Sequence, residues 1–157
     1  MYSIDELPLQ DLQNFWSLLY MDFCRKICTD HPAEGETVIR RAIAETGRRQ
    51  GEWQRQEHEQ MGLNTNLHSF FLDGRGAVCD PRSAAAVHTR NTEVCLWDRY
   101  ICPMANYWAA HSAEAYGRFY CEEYMRAFLS GYTGGKGQFH LSKVLTDKRD
   151  ILCQFAA

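Results

Sequence analysis

A cysteine with aromatic and acidic neighbours is the residue most capable of chemistry in this sequence. Cys121 lies in GRFYCEEYMRAFLSGY, residues 117–132, between a tyrosine and two glutamates. A cysteine thiolate is a strong nucleophile, but apolar surroundings disfavour the thiolate and leave the thiol inert. A neighbouring histidine would activate it, and His111 and His140 are the candidate bases. From the residues alone, core packing is favoured over catalysis.

The helix predicted around this cysteine has an apolar side and a charged side. Cys121 falls on the apolar side, at about 100° per residue. The same side carries a row of tyrosines: Tyr116, Tyr120 and Tyr124. Glu122 falls on the charged side, four residues from both Arg118 and Arg126, and would pair with them. We therefore expect the cysteine to point inward and Glu122 and Glu123 to point toward solvent.

The first helix of the chain shows the clearest periodicity. Apolar residues recur at helical spacing from Leu12 to Ile27, and Asp30-His31-Pro32 ends the helix. The predicted core stripe consists of Leu12, Phe15, Trp16, Leu19, Tyr20, Phe23, Cys24 and Ile27. Cys24 and Cys28 lie one turn apart, which a soft metal could use, but packing explains Cys24 better because it belongs to the stripe.

A second helix is predicted to begin near Glu34. Gly47 and Gly51 lie one turn apart on one side of it, where another backbone could approach closely. His58, in the polar segment that follows, is predicted to be a surface histidine.

The spacing of apolar residues changes from a helical to a strand-like pattern in the second half of the chain. Two strands are predicted around residues 90–92, a helix over 104–111, and a closing hairpin after the helix that carries Cys121. Residues 64–83 are predicted to form a short helix and a loop that could cover a pocket. The fold class is therefore α+β: N-terminal helices packed with a small, mostly antiparallel sheet and two further helices. We expect a single domain, 1–157, with a helical part (1–63) and a strand–helix–helix–hairpin part (84–157).

Composition limits the classes of function. The chain has 157 residues and a formal net charge of -3, which argues against nucleic acid as a partner. It starts without a signal-peptide pattern and contains no apolar run long enough to span a membrane. Seven cysteines, an odd number, suit reduced thiols in the cytosol. We expect a cytoplasmic protein without a cofactor.

Four sequence blocks resemble one enzyme family. They are Gly35-Glu36 before an arginine- and alanine-containing helix, Cys102-Pro103, Tyr120-Cys121-Glu122 with Gly131-Tyr132, and a tail with Asp150, Cys153 and Phe155. In order and spacing they resemble the L-2-amino-thiazoline-4-carboxylic acid hydrolase family, whose members open a cyclic amidine ring by adding water.

The resemblance implies a pocket near the sheet and the two C-terminal helices. Cys102 and Cys121 would be its polar members, with Cys121 attacking the amidine carbon and His111 or His140 moving protons. A metal or carboxylate that activates water is the alternative mechanism. The predicted substrate-binding residues are Tyr120, Tyr124, Glu122 and Tyr132.

Three positions depart from the pattern of that family. Tyr124 stands where an aspartate is usual, Thr133-Gly134 where asparagine-proline is usual, and His140 where an acid is expected. Losing a carboxylate and gaining a histidine would alter proton transfer. The substrate, or even the ring-opening reaction, could therefore differ, for instance toward a related ring-forming step in a biosynthetic pathway.

Two other functions compete with hydrolysis of a small-molecule substrate. The first is a non-catalytic module that binds a small molecule in an aromatic pocket lined by the tyrosine row. The second is a soft-metal site of Cys102, Cys121, Cys153 and His140, which no recognised ligand spacing supports. Exposed aromatics such as Trp97 and Trp108 would favour a homodimer, although no motif specifies one.

Overall fold

Helices dominate the structure. The computed structural model describes residues 9–66, 69, 87–91, 94–97, 103–136, 140–143 and 154–156. The helices are α1 (Leu9–Asp30), α2 (Gly35–Gln60), α3 (Pro103–Ala110) and α4 (Glu114–Thr133), and the strands are β1 (Val87–Asn91), β2 (Val94–Trp97), β3 (His140–Lys143) and β4 (Gln154–Ala156). The predicted loop over 64–83 lies mostly outside the described residues, as do Cys102, Asp150 and Cys153.

α1 is confirmed as a helix, but much of its predicted core stripe is not buried. Ser17, Met21 and Cys24 are buried on one side of the helix. Phe15 and Phe23, by contrast, are 61% and 59% exposed. The apolar arc of α1 is wider than its contact with α2 and α3, so only one edge of the arc reaches the core.

α2 and α4 form the most extensive helix pair, and glycines make their contact close. A Cβ atom on Gly47 would stand 2.6 Å from the Tyr124 carbonyl oxygen. A Cβ on Gly51 would overlap the Phe128 carbonyl oxygen, and one on Gly131 would overlap that of Arg48. The predicted close approach of a second backbone at Gly47 and Gly51 is confirmed.

α3 is held against α1 by a tryptophan. Trp108 is fully buried and donates its indole N–H to the Ser17 carbonyl oxygen, with the two heavy atoms 3.0 Å apart. The expectation that Trp108 is an exposed residue of a dimer surface is therefore wrong. Trp108 lies on the apolar side of α3 and belongs to the core.

The predicted α+β class is wrong, because the core that the structure describes is all-α. The short strands pair antiparallel in the order β1-β2-β4-β3. Extensive contacts join helix to helix and strand to strand, rather than helices to a sheet. Where the structure describes side chains, the buried apolar residues lie on the helices or, for Ala113, at the turn before α4. Contacts between helices therefore form the core that the structure describes.

Among the described residues, no helix has both the length and the apolar character needed to cross a membrane.

Candidate functional site

An apolar groove of about 250 Å³ lies between α1, α2 and α4. Its lining residues are Trp16, Tyr20, Phe23, Cys24, Ile27, Ile39, Ala42, Ile43, Thr46, Tyr120 and Tyr124. Tyr120 and Tyr124, both predicted to bind substrate, are among them. The groove forms because glycines allow α2 and α4 to pack closely, whereas the large side chains of α1 keep that helix further from both.

Two stacked aromatic pairs build one wall of the groove. Trp16 stacks on Tyr20 with ring centroids 5.4 Å apart, and Tyr120 stacks on Tyr124 at 4.9 Å. The two pairs meet edge to face, with the Tyr20 and Tyr120 rings 5.8 Å apart. Such edge-to-face and stacked contacts stabilise aromatic clusters beyond simple burial. The wall is therefore pre-formed rather than assembled by a ligand.

The tyrosine hydroxyls of this wall are engaged within the protein. Tyr20 donates to the Tyr116 carbonyl oxygen at 2.7 Å, and Tyr124 donates to Oε1 of Gln50 at 3.2 Å. Burial raises the pKa of Tyr20 far above its ordinary value and also raises the pKa of Tyr124. Both tyrosines therefore remain neutral, and their rings rather than their hydroxyls define the groove.

Cys24 contributes a thiol to the groove but not a nucleophile. Burial raises the pKa of Cys24 to about 11, and a hydrogen bond with Tyr20 lowers the pKa by a smaller amount. At neutral pH the group is a protonated thiol, which is unreactive. The packing interpretation of Cys24 is confirmed, since its side chain belongs to a core cluster with Ile39, Ile43 and Phe119.

Cys121 is a half-buried cysteine next to the aromatic wall, and it forms no disulfide. Its side chain packs against the cluster of Met21, Trp108 and Ala113, which agrees with the predicted inward orientation. Tyr20 and Tyr120 pack against the same cluster. Cys121 is thus placed within the aromatic cluster although it does not line the groove itself.

The described residues do not show the predicted bases next to Cys121. His111 is exposed, stacks on the Tyr107 ring at 4.1 Å and donates Nδ1–H to the Tyr107 carbonyl oxygen at 2.7 Å. His140 begins β3, but its side chain lies outside the description, and so does Cys102. The pairing of Cys121 with a histidine or with Cys102 stays a prediction.

Glu122 and Glu123 do not point away from the protein as predicted. Arg40 of α2 reaches them both, at 2.7 Å from Oε2 of Glu122 and 3.3 Å from Oε1 of Glu123. Arg118 pairs with Glu122 as expected, at 2.9 Å, whereas Arg126 pairs with Glu123 instead. The charged side of α4 faces α2 closely enough for an ion-pair network between helices. Both carboxylate oxygens of Glu122 are occupied there.

A buried polar cluster lies further along the same helix pair. Tyr132 is fully buried, with its hydroxyl oxygen 2.7 Å from Nδ1 of His58 and 3.4 Å from the Asn64 carbonyl oxygen. His58 is 5% exposed, so its prediction as a surface histidine is wrong. The signal was its spacing: Gly47, Gly51, Gln54 and His58 recur on one side of a helix.

Gln54 is the unusual member of this helix side. Its side chain is 1% exposed, and within the described part of the chain neither amide atom has a hydrogen-bond partner. A buried unpaired amide is costly.

Comparisons with known proteins give this chain no relative: no family model matches it, and neither a curated protein nor a solved structure does. The resemblance to the aminothiazoline-carboxylate hydrolases therefore stays a prediction. Within the described ranges, no three His, Cys, Asp or Glu side chains are grouped so that they could hold a metal ion.

Proposed function

We propose that this protein binds an uncharged, planar small molecule in the groove between α1, α2 and α4. The observation that carries the proposal is the pre-formed aromatic wall of an open, almost wholly apolar groove. An apolar recess of this kind gains free energy when a ring replaces water in it, at roughly 25 cal/mol for each Å² of apolar surface buried.

The size and chemistry of the groove select the class of ligand. Its volume, about 250 Å³, lies just below the range typical of drug-sized ligands and suits a compound of one or two rings. Tyr20 and Tyr124 have their hydroxyls bonded within the protein, so a strongly polar ligand would find few partners. A charged ligand would lose its hydration without compensation.

Filling the groove should weaken binding. Ala42 lines the groove and is exposed, so Ala42→Leu places extra atoms in the recess without opening the core. We expect titration calorimetry with indole, a neutral bicyclic probe, to show binding to the wild type and a loss of about tenfold or more in Ala42→Leu.

The matched control is Ala109→Leu, the same change at an exposed position of α3. It should bind indole like the wild type, and so should Tyr124→Phe, because that hydroxyl is directed to Gln50. No binding by the wild type, or equal affinity in Ala42→Leu, would contradict the proposal.

Hydrolysis of a cyclic amidine is the second candidate function. It is supported by the position of Cys121, a half-buried thiol one residue from the groove residue Tyr120. In this mechanism the Cys121 thiolate adds to the amidine carbon, and the ring carbon–nitrogen bond breaks as its nitrogen takes up a proton. Water then cleaves the carbon–sulfur bond to Cys121, which releases the opened product and restores the thiol.

The test is mass-spectrometric turnover of 2-aminothiazoline-4-carboxylate by the wild type and Cys121→Ser. We expect a decrease of about 100-fold or more in the variant, since a nucleophile cannot be replaced by binding alone. Cys24→Ser is the control, because the raised pKa of Cys24 keeps its thiol unreactive. Equal turnover in the wild type and Cys121→Ser would remove Cys121 from the reaction, and an inactive wild type would reject this function.

A further inference from the structure

The strip of α2 that lines the groove carries one hydroxyl group among apolar side chains. Its members are spaced three and four residues apart, which places them on one side of the helix: Ile39, Ala42, Ile43 and Thr46. The first three are hydrocarbon side chains, whereas the hydroxyl of Thr46 can both donate and accept a hydrogen bond. Thr46 therefore places a polar group at one end of this strip.

The hydroxyl of Thr46 is not used by the fold. A threonine within a helix commonly donates to the carbonyl oxygen one turn earlier. Thr29 and Thr133 do so, with distances of 2.8 Å to the Arg25 carbonyl oxygen and 2.9 Å to that of Leu129. Thr46 makes no hydrogen bond of this kind within the described part of the chain. Because its side chain is also exposed, the hydroxyl can exchange water for a ligand group.

Other polar side chains of the groove do not offer the same group. Tyr124 directs its hydroxyl to Gln50, which lies one turn beyond Thr46 on α2, and the Tyr20 hydroxyl is also bonded within the protein. Trp16 contributes an indole N–H, which can donate but cannot accept. Thr46 combines what these three side chains lack, since it has both an acceptor and no partner among the described residues.

We propose that Thr46 determines the specificity of the groove by forming a hydrogen bond with a polar atom at the edge of the bound ring. This inference rests on the proposed binding of a planar ligand in the groove. It narrows the ligand class to compounds of one or two aromatic rings that carry an N–H, a ring nitrogen or a hydroxyl at one edge. A hydrocarbon of the same size would displace water from Thr46 without replacing its hydrogen bond.

Indole and indene provide the test, because they have nearly the same shape but only indole carries an N–H. Thr46→Val removes the hydroxyl and keeps the shape of the side chain. In titration calorimetry we expect this variant to bind indole about fivefold more weakly than the wild type, the effect of one net hydrogen bond, with no loss of affinity for indene. Thr46→Ser keeps the hydroxyl and should bind indole within about twofold of the wild type.

The control is Thr29→Val, the same change at an exposed position of α1 that does not line the groove. It should bind both compounds like the wild type. Unchanged affinity of Thr46→Val for indole, or an equal loss for indole and indene, would overturn the role of Thr46 and leave ligand binding by the groove intact. A wild type that binds neither compound would reject the proposed function, and with it this inference.

Discussion

Replacing Gly51 with alanine is expected to destabilise the protein by about 2 kcal/mol. The new Cβ would overlap the Phe128 carbonyl oxygen and stand 2.8 Å from the Tyr132 backbone nitrogen. Because both neighbours are backbone atoms, relief requires α2 and α4 to separate, at a cost of about 3 kcal/mol or more. The better helix propensity of alanine returns only about 1 kcal/mol. Urea unfolding, monitored by circular dichroism, measures the difference in the free energy of unfolding between Gly51→Ala and the wild type.

Arg49→Ala is the control for this change, since it alters an exposed position of the same helix. Its effect should stay within about 0.5 kcal/mol. Gly131→Ala should be as damaging as Gly51→Ala, and the double variant should cost less than the sum, because one separation of the helices relieves both contacts. A Gly51→Ala protein as stable as the wild type would mean that α2 and α4 do not touch at their backbones.

Trp108→Ala is expected to have the largest effect on stability, about 4 kcal/mol or a failure to fold. The side chain is 0% exposed and contacts the rings of Trp16, Tyr20 and Tyr120, so its removal leaves a cavity at the junction of α1, α3 and α4. It also leaves the Ser17 carbonyl oxygen without its indole donor.

Trp108→Phe separates these two contributions. It keeps an aromatic ring but removes the N–H, so we expect a loss of about 1–2 kcal/mol. Asn106→Ala, at an exposed position of α3, is the control. Thermal unfolding ranks the stabilities of the three variants. A Trp108→Ala protein that loses less than about 1 kcal/mol of stability would show that α3 is not packed on α1 in this way.

Local patterns in the sequence predicted the helices well. The periodicity of α1, the start of α2 and the glycine pair at 47 and 51 all follow from spacing between near neighbours. α4 ends at Thr133, where the C-cap Gly134 adopts the left-handed conformation that glycine accommodates best.

Contacts between distant residues could not be predicted in the same way. Arg40 and Glu122 are separated by 82 positions, and His58 and Tyr132 by 74. His58 was predicted to lie on the surface and Glu122 to point toward solvent, because the partner of each belongs to a different helix. The fold class failed for a related reason: the strand-like composition after residue 84 indicated local conformation but not what would cover the helices.

The candidate site was predicted in part. Tyr120 and Tyr124 line the groove because they share a helix side, which spacing reveals. Cys24 was assigned to packing correctly, but nothing in α1 alone indicates that its apolar arc would divide between the core, the groove and solvent.

The glycine contact between α2 and α4 has a consequence for how new ligand preferences could arise. Where two backbones touch, no side chain intervenes, so substitution there cannot adjust the spacing in small steps. The part of the groove that α1 contributes is formed by side chains such as Trp16, Tyr20 and Phe23, whose sizes can vary one at a time. Diversification of this scaffold, natural or engineered, should therefore proceed through α1, with the glycine-paired helices as its invariant frame.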